Sequence, residues 1–210
     1  MEKKELIYYP ENPVSSFLFN DTRSAALWLI IRIYVGWIWL KSGVTKVFND
    51  AWTGENAGAA VSGYLQGAIE KASTTNDVQA WYAAFLEIFC LPNATLFSFV
   101  VAWGEVFVGI GLIVGMFTGI AAFFGAVMNV AFLFAGTVSS NPRLLLLSFF
   151  LMLAWKVAGW YGLDRWVLLK LGTPWGKITK EEKDLQDGKK KIELKRKEET
   201  SHSNSTMFNA

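Results

Sequence analysis

Histidine and cysteine are almost absent from this chain. Its 210 residues contain one cysteine, Cys90, and one histidine, His202. A single cysteine excludes an internal disulfide, a Cys-x-x-Cys redox pair and a thiolate-ligated metal cluster built from this chain alone. A single histidine excludes haem and binuclear metal sites in the same way. Any redox chemistry therefore needs a borrowed cofactor or co-substrate, and we predict no resident metal or flavin.

Charge is also missing from most of the chain. Eleven of the 20 basic residues lie between Arg165 and Lys197, and the stretch from Ala94 to Val138 carries one charged residue, Glu105. Hydrophobic residues make up 52% of the sequence, with 10 Trp and 16 Phe. A soluble protein has no interior large enough for such tracts, which excludes cytosolic enzyme folds and nucleic-acid binding. We predict an integral membrane protein whose first partner is lipid.

Four apolar stretches account for the hydrophobic content. At ~1.5 Å per residue, about 20 residues cross the hydrocarbon core, so the 45 residues from 94 to 138 must turn back once. The sequence predicts an all-α bundle of four transmembrane helices at about 24–44, 94–116, 119–138 and 143–163. This membrane domain, 24–163, lies between an N-terminal segment, 1–23, and a charged tail, 164–210.

The distribution of basic residues predicts the orientation. Four crossings put both termini on one side, and the basic tail places that side in the cytoplasm of a plasma-membrane protein. The outer loop, 49–93, then contains a single basic residue, Lys71. Its apolar positions recur at helical spacing in two groups, which predicts two short amphipathic helices. They are either a lid over a site or helices resting on the lipid headgroups.

Four polar residues interrupt the predicted spans. Counted from the inner ends of their helices, Arg32, Glu105, Asn129 and Lys156 lie at roughly 12, 16, 15 and 10 Å, which predicts one polar layer. Charges inside a membrane are costly and mark functional sites, so we expect Arg32 and Glu105 to pair and to be catalytic. The alternatives are a structural clamp for the pair and snorkelling of Lys156 to the membrane surface.

Aromatic residues lie beside this layer. Trp39 and Trp103 are placed to sandwich a planar apolar ligand, with Arg32 or Asn129 as hydrogen-bond partner for its carbonyl. Quinones have this shape. We therefore predict Arg32, Trp39, Trp103 and Asn129 as a quinone-binding set, with the quinone as electron acceptor; belt or packing roles remain the alternative for each tryptophan.

Three segments together resemble the DoxX/DoxD family. They are WLIIRIYVGWIWLKSGVTKV in the first span, GEVFVGIGLIVGMFTGIAAFFGAVMNVAFLFAG in the second and third, and AGWYGLDRWV after the fourth. The resemblance covers about residues 23–170. Within the family the chain is most similar to the DoxD branch, the large membrane subunit of thiosulfate:quinone oxidoreductase. Arg32, Lys46, Glu105 and Asp164 match its recurring polar positions.

The resemblance implies oxidation of thiosulfate to tetrathionate, with the electrons passed to a membrane quinone. It also implies a small DoxA-like partner subunit, and a homo-oligomer is the alternative assembly. We predict Lys41, Lys46 and Trp52 as substrate-binding residues, with Lys71 adding positive charge for the thiosulfate dianions. Glu105 would relay protons, and Cys90 is either a buried structural residue or the carrier of a transient sulfur adduct.

Two other functions compete with this hypothesis. A noncatalytic membrane scaffold could anchor a redox partner through its outer loop or basic tail, because family membership does not fix a reaction. A small-solute carrier is less favoured, since four helices leave little room for alternating access.

Overall fold

The computed structural model describes residues 12–172, in which helices joined by turns are the only regular secondary structure and no strand occurs. This confirms the all-α class for that part of the chain. The α-helices are α1 (Pro13–Asn20), α2 (Ala25–Val47), α3 (Ala59–Thr74), α4 (Ala80–Phe85), α5 (Ala94–Val114), α6 (Thr118–Phe134), α7 (Asn141–Leu153), α8 (Trp155–Ala158) and α9 (Asp164–Lys170).

Helices α2, α5, α6 and α7 form an antiparallel bundle. Helix α2 packs mainly on α5, and α6 packs on both α5 and α7. One end of the bundle, here called the loop end, holds the C-terminus of α2, residues 48–93 and the α6–α7 connection. The opposite end, here called the turn end, holds the tight α5–α6 turn, α1 and α8. Apolar side chains such as Ile30, Phe107 and Ile120 cover its outside and are more than half exposed.

Glycines set the contact between α2 and α5. A Cβ atom on Gly109 would lie 2.5 Å from the Leu40 backbone nitrogen, and one on Gly43 would lie 2.6 Å from the Val106 nitrogen. Only a residue without a side chain allows two backbones to approach so closely, as is usual for helices that pack in membranes. These contacts fix the register of the two helices, with Gly43 opposite Val106 and Leu40 opposite Gly109.

The turn between α5 and α6 is very short. Gly115 ends α5 in the left-handed conformation, with φ +70°, and the N–H groups of Gly115 and Met116 both donate to the Gly111 carbonyl. Phe117, with φ +51°, precedes α6 in the same region. The turn occupies Gly115–Phe117, about one residue earlier than the boundary predicted between the spans 94–116 and 119–138.

The outer loop differs in part from the expected pair of short helices. Helix α3 is separate, but α4 continues through a π turn, Leu86–Cys90, and a 3-10 turn, Leu91–Asn93, directly into α5. The result is one helical stretch of 35 residues, Ala80–Val114. Pro92 lacks a backbone N–H and cannot continue an α-helix, and the two irregular turns accommodate it without reversing the chain.

Two of the described helices are long and apolar enough to cross a membrane. These are the stretches Thr22–Val47 and Ala80–Val114, while α6 and α7 are shorter apolar helices. The expected fourth span, 143–163, is not one helix, because α7 ends at Leu153 and α8 begins after Ala154. The Ala154 carbonyl accepts hydrogen bonds from the N–H groups of both Val157 and Ala158. The first of these spans three residues, as in a 3-10 turn, so the helix is more tightly wound at this point.

The chain divides after Val167 into two compact units. The described part of the second unit, Leu168–Gly172, is the last turn of α9 and its end, where Gly172 has φ +74°. The predicted cytoplasmic tail otherwise falls outside the described residues, as do residues 1–11 of the predicted N-terminal segment.

Candidate functional site

A cavity of about 280 Å³ opens at the loop end of the bundle. It lies between α2, α3, α5, α6 and α7, and is closed by the segment after α2 and the α6–α7 connection. Its walls combine aromatic rings with polar groups: Ile38, Trp39, Ser42, Lys46, Trp52, Tyr64, Glu105, Phe132, Thr137, Ser139, Ser140, Asn141 and Leu144. Four of the predicted site residues, namely Trp39, Lys46, Trp52 and Glu105, are therefore brought together here.

An ion pair lies in the wall of this cavity. Lys46 Nζ donates to Glu105 Oε2 at 2.6 Å and to Ser42 Oγ at 2.6 Å. The Glu105 side chain is 2% exposed and that of Lys46 is 19% exposed. An ammonium group has three N–H donors, so two bind protein oxygens and one has no acceptor among the described residues. The pair is neutral as a whole, and it keeps one free donor.

Trp52 completes the surroundings of Lys46. The ammonium lies 5.1 Å from the centre of the Trp52 ring, within cation–π range. The backbone around Trp52 is held in place, because Ser98 Oγ donates to the Trp52 carbonyl at 2.5 Å and Thr53 Oγ1 donates to the Val47 carbonyl at 2.6 Å. The backbone that carries this ring is therefore tied to two helices, to α5 through Ser98 and to α2 through Val47.

Tyr64 and Thr137 close the other side of the cavity. Their hydroxyl oxygens lie 2.9 Å apart, and Asn141 Nδ2 donates to the Thr137 carbonyl at 2.8 Å. Burial raises the pKa of the Tyr64 hydroxyl, against the opposing effect of its hydrogen bond to Thr137. Tyr64 thus remains a protonated donor or acceptor at neutral pH, next to the ion pair.

The expected Arg32–Glu105 pair is wrong. Glu105 binds Lys46, whereas Arg32 lies at the turn end and donates from Nη2 to the Tyr161 carbonyl at 3.3 Å. The register explains the error. Arg32 packs against Gly115, ten residues beyond Glu105 on α5, which corresponds to ~15 Å along the helix axis. The prediction counted residues from the start of α2 and from the end of α5 as if both lay at the same depth. In the structure α2 extends beyond the end of α5, so that Arg32, and not the start of α2, lies level with Gly115.

Arg32 belongs to a second polar cluster, at the turn end. Its guanidinium fills the space over Gly115 and Gly162, because a Cβ on either residue would overlap Nη1. Arg32 is 1% exposed, and Nε and Nη1 have no hydrogen-bond partner in the described part of the chain. The carboxylate of Asp164, which is fully buried, attracts the Arg32 guanidinium electrostatically.

Asp164 has a clear structural role. Its two carboxylate oxygens accept from the Phe117 N–H at 2.6 Å and the Thr118 N–H at 2.9 Å. These N–H groups lie at the N-terminus of α6. A carboxylate there accepts hydrogen bonds from N–H groups that lack a partner within the helix, and its negative charge is attracted by the positive end of the helix dipole. Asp164 therefore ties the segment before α9 to the α5–α6 turn and places its charge near Arg32.

The remaining predicted residues lie away from the ion pair. Lys156 Nζ donates to Asn20 Oδ1 at 3.1 Å. This contact is at the turn end, so Lys156 does not belong to the polar layer predicted with Glu105 and Asn129. Trp103 is 43% exposed and packs on Phe107, on the outside of the bundle. Lys41 lines a separate shallow groove with Trp37 and Phe48. Five residues separate Lys41 from Lys46, which turns their side chains roughly 140° apart on an α-helix.

Asn129 is fully buried on α6. It lies one turn after Gly125, which packs against Trp39, and one turn before Phe132, which lines the cavity. Neither polar atom of Asn129 has a hydrogen-bond partner among residues 12–172, and the same holds for Trp39 Nε1. Buried polar atoms without protein partners are rare and are generally satisfied by water or a ligand. The core beneath the cavity thus contains buried donors and an acceptor, on Asn129 and Trp39, that could bind water or a ligand.

Several cavity residues were not anticipated from the sequence. Ser42 precedes Lys46 by four residues on α2, and residues at this spacing are neighbours on a helix surface. The sequence could therefore have predicted a hydrogen bond between them. Tyr64, Thr137 and Asn141 come from three separate segments and carry no local motif. Lys71, expected to supply positive charge, donates to the Gly136 carbonyl at 3.2 Å.

Residues 27–137 match the DoxX family, which is slightly more than half of the chain. The match includes α2, α5, α6 and the ion pair between Lys46 and Glu105. Neither a curated protein nor a solved structure matches this chain. With its long apolar helices and this match, the chain is a membrane protein that belongs to the DoxX family.

Proposed function

We propose that this protein is the membrane subunit of a sulfur-compound oxidoreductase and that the loop-end cavity is its quinone-reducing site. The observation that carries the proposal is the Lys46–Glu105 pair, buried in the wall of a cavity lined by Trp39, Trp52 and Phe132. Aromatic walls suit a flat apolar ring, and the free N–H of Lys46 suits a carbonyl oxygen of that ring.

The neutrality of the ion pair argues for a neutral ligand in this cavity. Glu105 cancels the charge of Lys46, and Lys41 lies in another groove, so the described residues that line this cavity carry no excess of positive charge to attract a dianion. A quinone is uncharged, and its reduction consumes protons that Lys46 and Glu105 can deliver. Thiosulfate therefore meets the protein elsewhere in this proposal, at its outer surface or on a small DoxA-like subunit.

The reaction balances as follows. Two thiosulfate dianions lose two electrons in total and join through a new sulfur–sulfur bond as tetrathionate. The quinone takes up those two electrons and two protons and becomes the quinol. Lys46 orients one carbonyl oxygen of the quinone and passes it one of the two protons. Water at the mouth of the cavity supplies the second proton to the other oxygen and, through Glu105, the proton that replaces the one lost from Lys46.

We further propose that the chain crosses the plasma membrane four times with both termini in the cytoplasm. Helices α7 and α8 together cover residues 141–158, about 27 Å at ~1.5 Å per residue, which supports a fourth crossing. The basic residues after Asp164 support the orientation. A reporter enzyme that is active only outside the cytoplasm, fused after residue 210, should be inactive; an active fusion would reverse the orientation.

Loss of the lysine should abolish quinone reduction. In membranes of cells that produce the protein, Lys46→Met should slow thiosulfate-dependent reduction of duroquinone at least about a hundredfold, because positioned proton donors contribute that much. Lys41→Met is the matched control on the same helix and, because Lys41 lies in a separate groove, should leave the affinity for duroquinone within about twofold at constant protein level. Quinone reduction is followed by its absorbance, and membranes without the protein give the background.

Binding separates this proposal from its rivals. Duroquinone should bind the purified protein and quench fluorescence of the tryptophans that line the cavity. A protein that binds no quinone, and that co-purifies with a partner without turnover, would be a scaffold and would refute the proposal. Binding without thiosulfate-dependent turnover would leave the quinone site in place and remove thiosulfate as the donor.

A further inference from the structure

A second cavity, of about 250 Å³, adjoins the loop-end cavity. The two share three wall residues: Trp52, Tyr64 and Phe132. The remaining walls come from α3, from the π turn before α5, and from α5 and α6, with Leu65, Leu86 and Cys90 among them. It is called the apolar cavity below.

The lining of the apolar cavity offers almost nothing to a polar ligand. The Tyr82 hydroxyl already donates to the Ala131 carbonyl at 3.0 Å, and the Tyr64 hydroxyl is bonded to Thr137. The remaining polar side-chain groups of its lining are the indole N–H of Trp52, which also borders the loop-end cavity, and the thiol of Cys90, a weak donor at best. Hydrocarbon is thus the ligand chemistry that this cavity fits.

We infer that the apolar cavity binds the hydrocarbon tail of the quinone whose ring occupies the loop-end cavity. The inference rests on the proposed function. The shared lining carries it: a ring held by Lys46 lies beside Trp52, Tyr64 and Phe132, and the same three residues also line the apolar cavity. One cavity then recognises the polar head and the other recognises the tail.

The π turn shapes the tail site. The Leu91 N–H donates to the Leu86 carbonyl, five residues back, so the helix is widened over Leu86–Cys90. Both end residues of this turn are buried, at 3% and 4% exposed, and both line the apolar cavity. Such widened turns occur frequently at functional sites. The irregularity thus lies in the wall of a cavity, where it adds width.

Cys90 allows a direct test because it is the only cysteine in the chain. The test compares duroquinone, which has four ring methyl groups, with the homologue in which a decyl chain replaces one methyl. Both rings are fully substituted, so the thiol does not add to them. At ten times its Kd, the decyl quinone should slow alkylation of Cys90 by N-ethylmaleimide about tenfold, and duroquinone should change it less than twofold.

A cavity-filling variant provides a second readout. Cys90→Leu adds volume where the tail would lie and should raise the Kd and KM for the decyl quinone about tenfold, with those for duroquinone unchanged. Ile88→Leu, on the exposed side of the same turn, is the matched control and should change neither, because Ile88 is 77% exposed and does not line the apolar cavity. If Cys90 does not react even in the free protein, the Cys90→Leu comparison decides alone.

The outcomes separate the two proposals. If duroquinone binds but the decyl quinone neither protects Cys90 nor responds to Cys90→Leu, the tail site is refuted and the quinone site stands. If neither quinone binds, the proposed function fails. If a co-purified phospholipid protects Cys90 and the decyl quinone does not displace it, the apolar cavity is a lipid site and the inference is overturned.

Discussion

Lys46→Met should destabilise the protein by about 3–5 kcal/mol, because it leaves a buried carboxylate without its cation. Glu105 is 2% exposed and lies 2.6 Å from Lys46 Nζ, and no other cation is bonded to it among the described residues. The free energy of unfolding in mixed micelles measures the loss.

The double variant makes this prediction specific to the ion pair. Lys46→Met combined with Glu105→Leu replaces both charges with apolar groups of similar size and should recover most of the lost stability, because no unpaired charge remains. Lys41→Met, an exposed control on the same helix, should change stability by less than about 0.5 kcal/mol. A double variant as unstable as Lys46→Met would mean that the loss comes from packing of the lysine stem. Recovered stability without quinone reduction would show that the pair is kept for the reaction.

Hydropathy predicts the long helices of this chain well. The runs around α2 and α5 are apolar for more than a bilayer thickness, and the turn before α6 follows from the length of one uncharged tract. The break after Leu153 was not predictable in this way, because residues 150–158 contain no glycine or proline that would mark it. The breaks at Leu86–Asn93 are similarly hidden, apart from Pro92, since a π turn leaves no compositional trace.

Relative depth is the property that the sequence alone could not provide. Asn129 and Glu105 are at similar distances from the shared turn, so their equal depth follows from counting residues along adjoining helices. Arg32 is on a helix that joins the others through the long outer loop, and its height depends on how α2 slides along α5. Backbone contacts at Gly43 and Gly109 decide that, and they place Lys46 rather than Arg32 beside Glu105.

Gly109→Ala tests this register directly and should cost about 3 kcal/mol of stability. The new Cβ would lie 2.5 Å from the Leu40 nitrogen and 2.7 Å from its Cα, and backbone atoms inside a helix cannot move aside singly. Helix α2 must shift as a whole, which would also stretch the contact between Lys46 and Glu105. Quinone binding should therefore weaken together with stability, although Gly109 does not line the cavity.

Gly104→Ala is the matched control, five residues earlier on α5. Its Cβ would meet only Met128 Sδ, at 3.5 Å, an ordinary contact distance. Alanine is the better residue for a helix interior, so this variant should gain about 0.5–1 kcal/mol and leave quinone binding unchanged. If Gly109→Ala were tolerated as well as Gly104→Ala, the two helices could not be in backbone contact at Leu40. The register that brings Lys46 to Glu105, and with it the argument for the site, would then have to be abandoned.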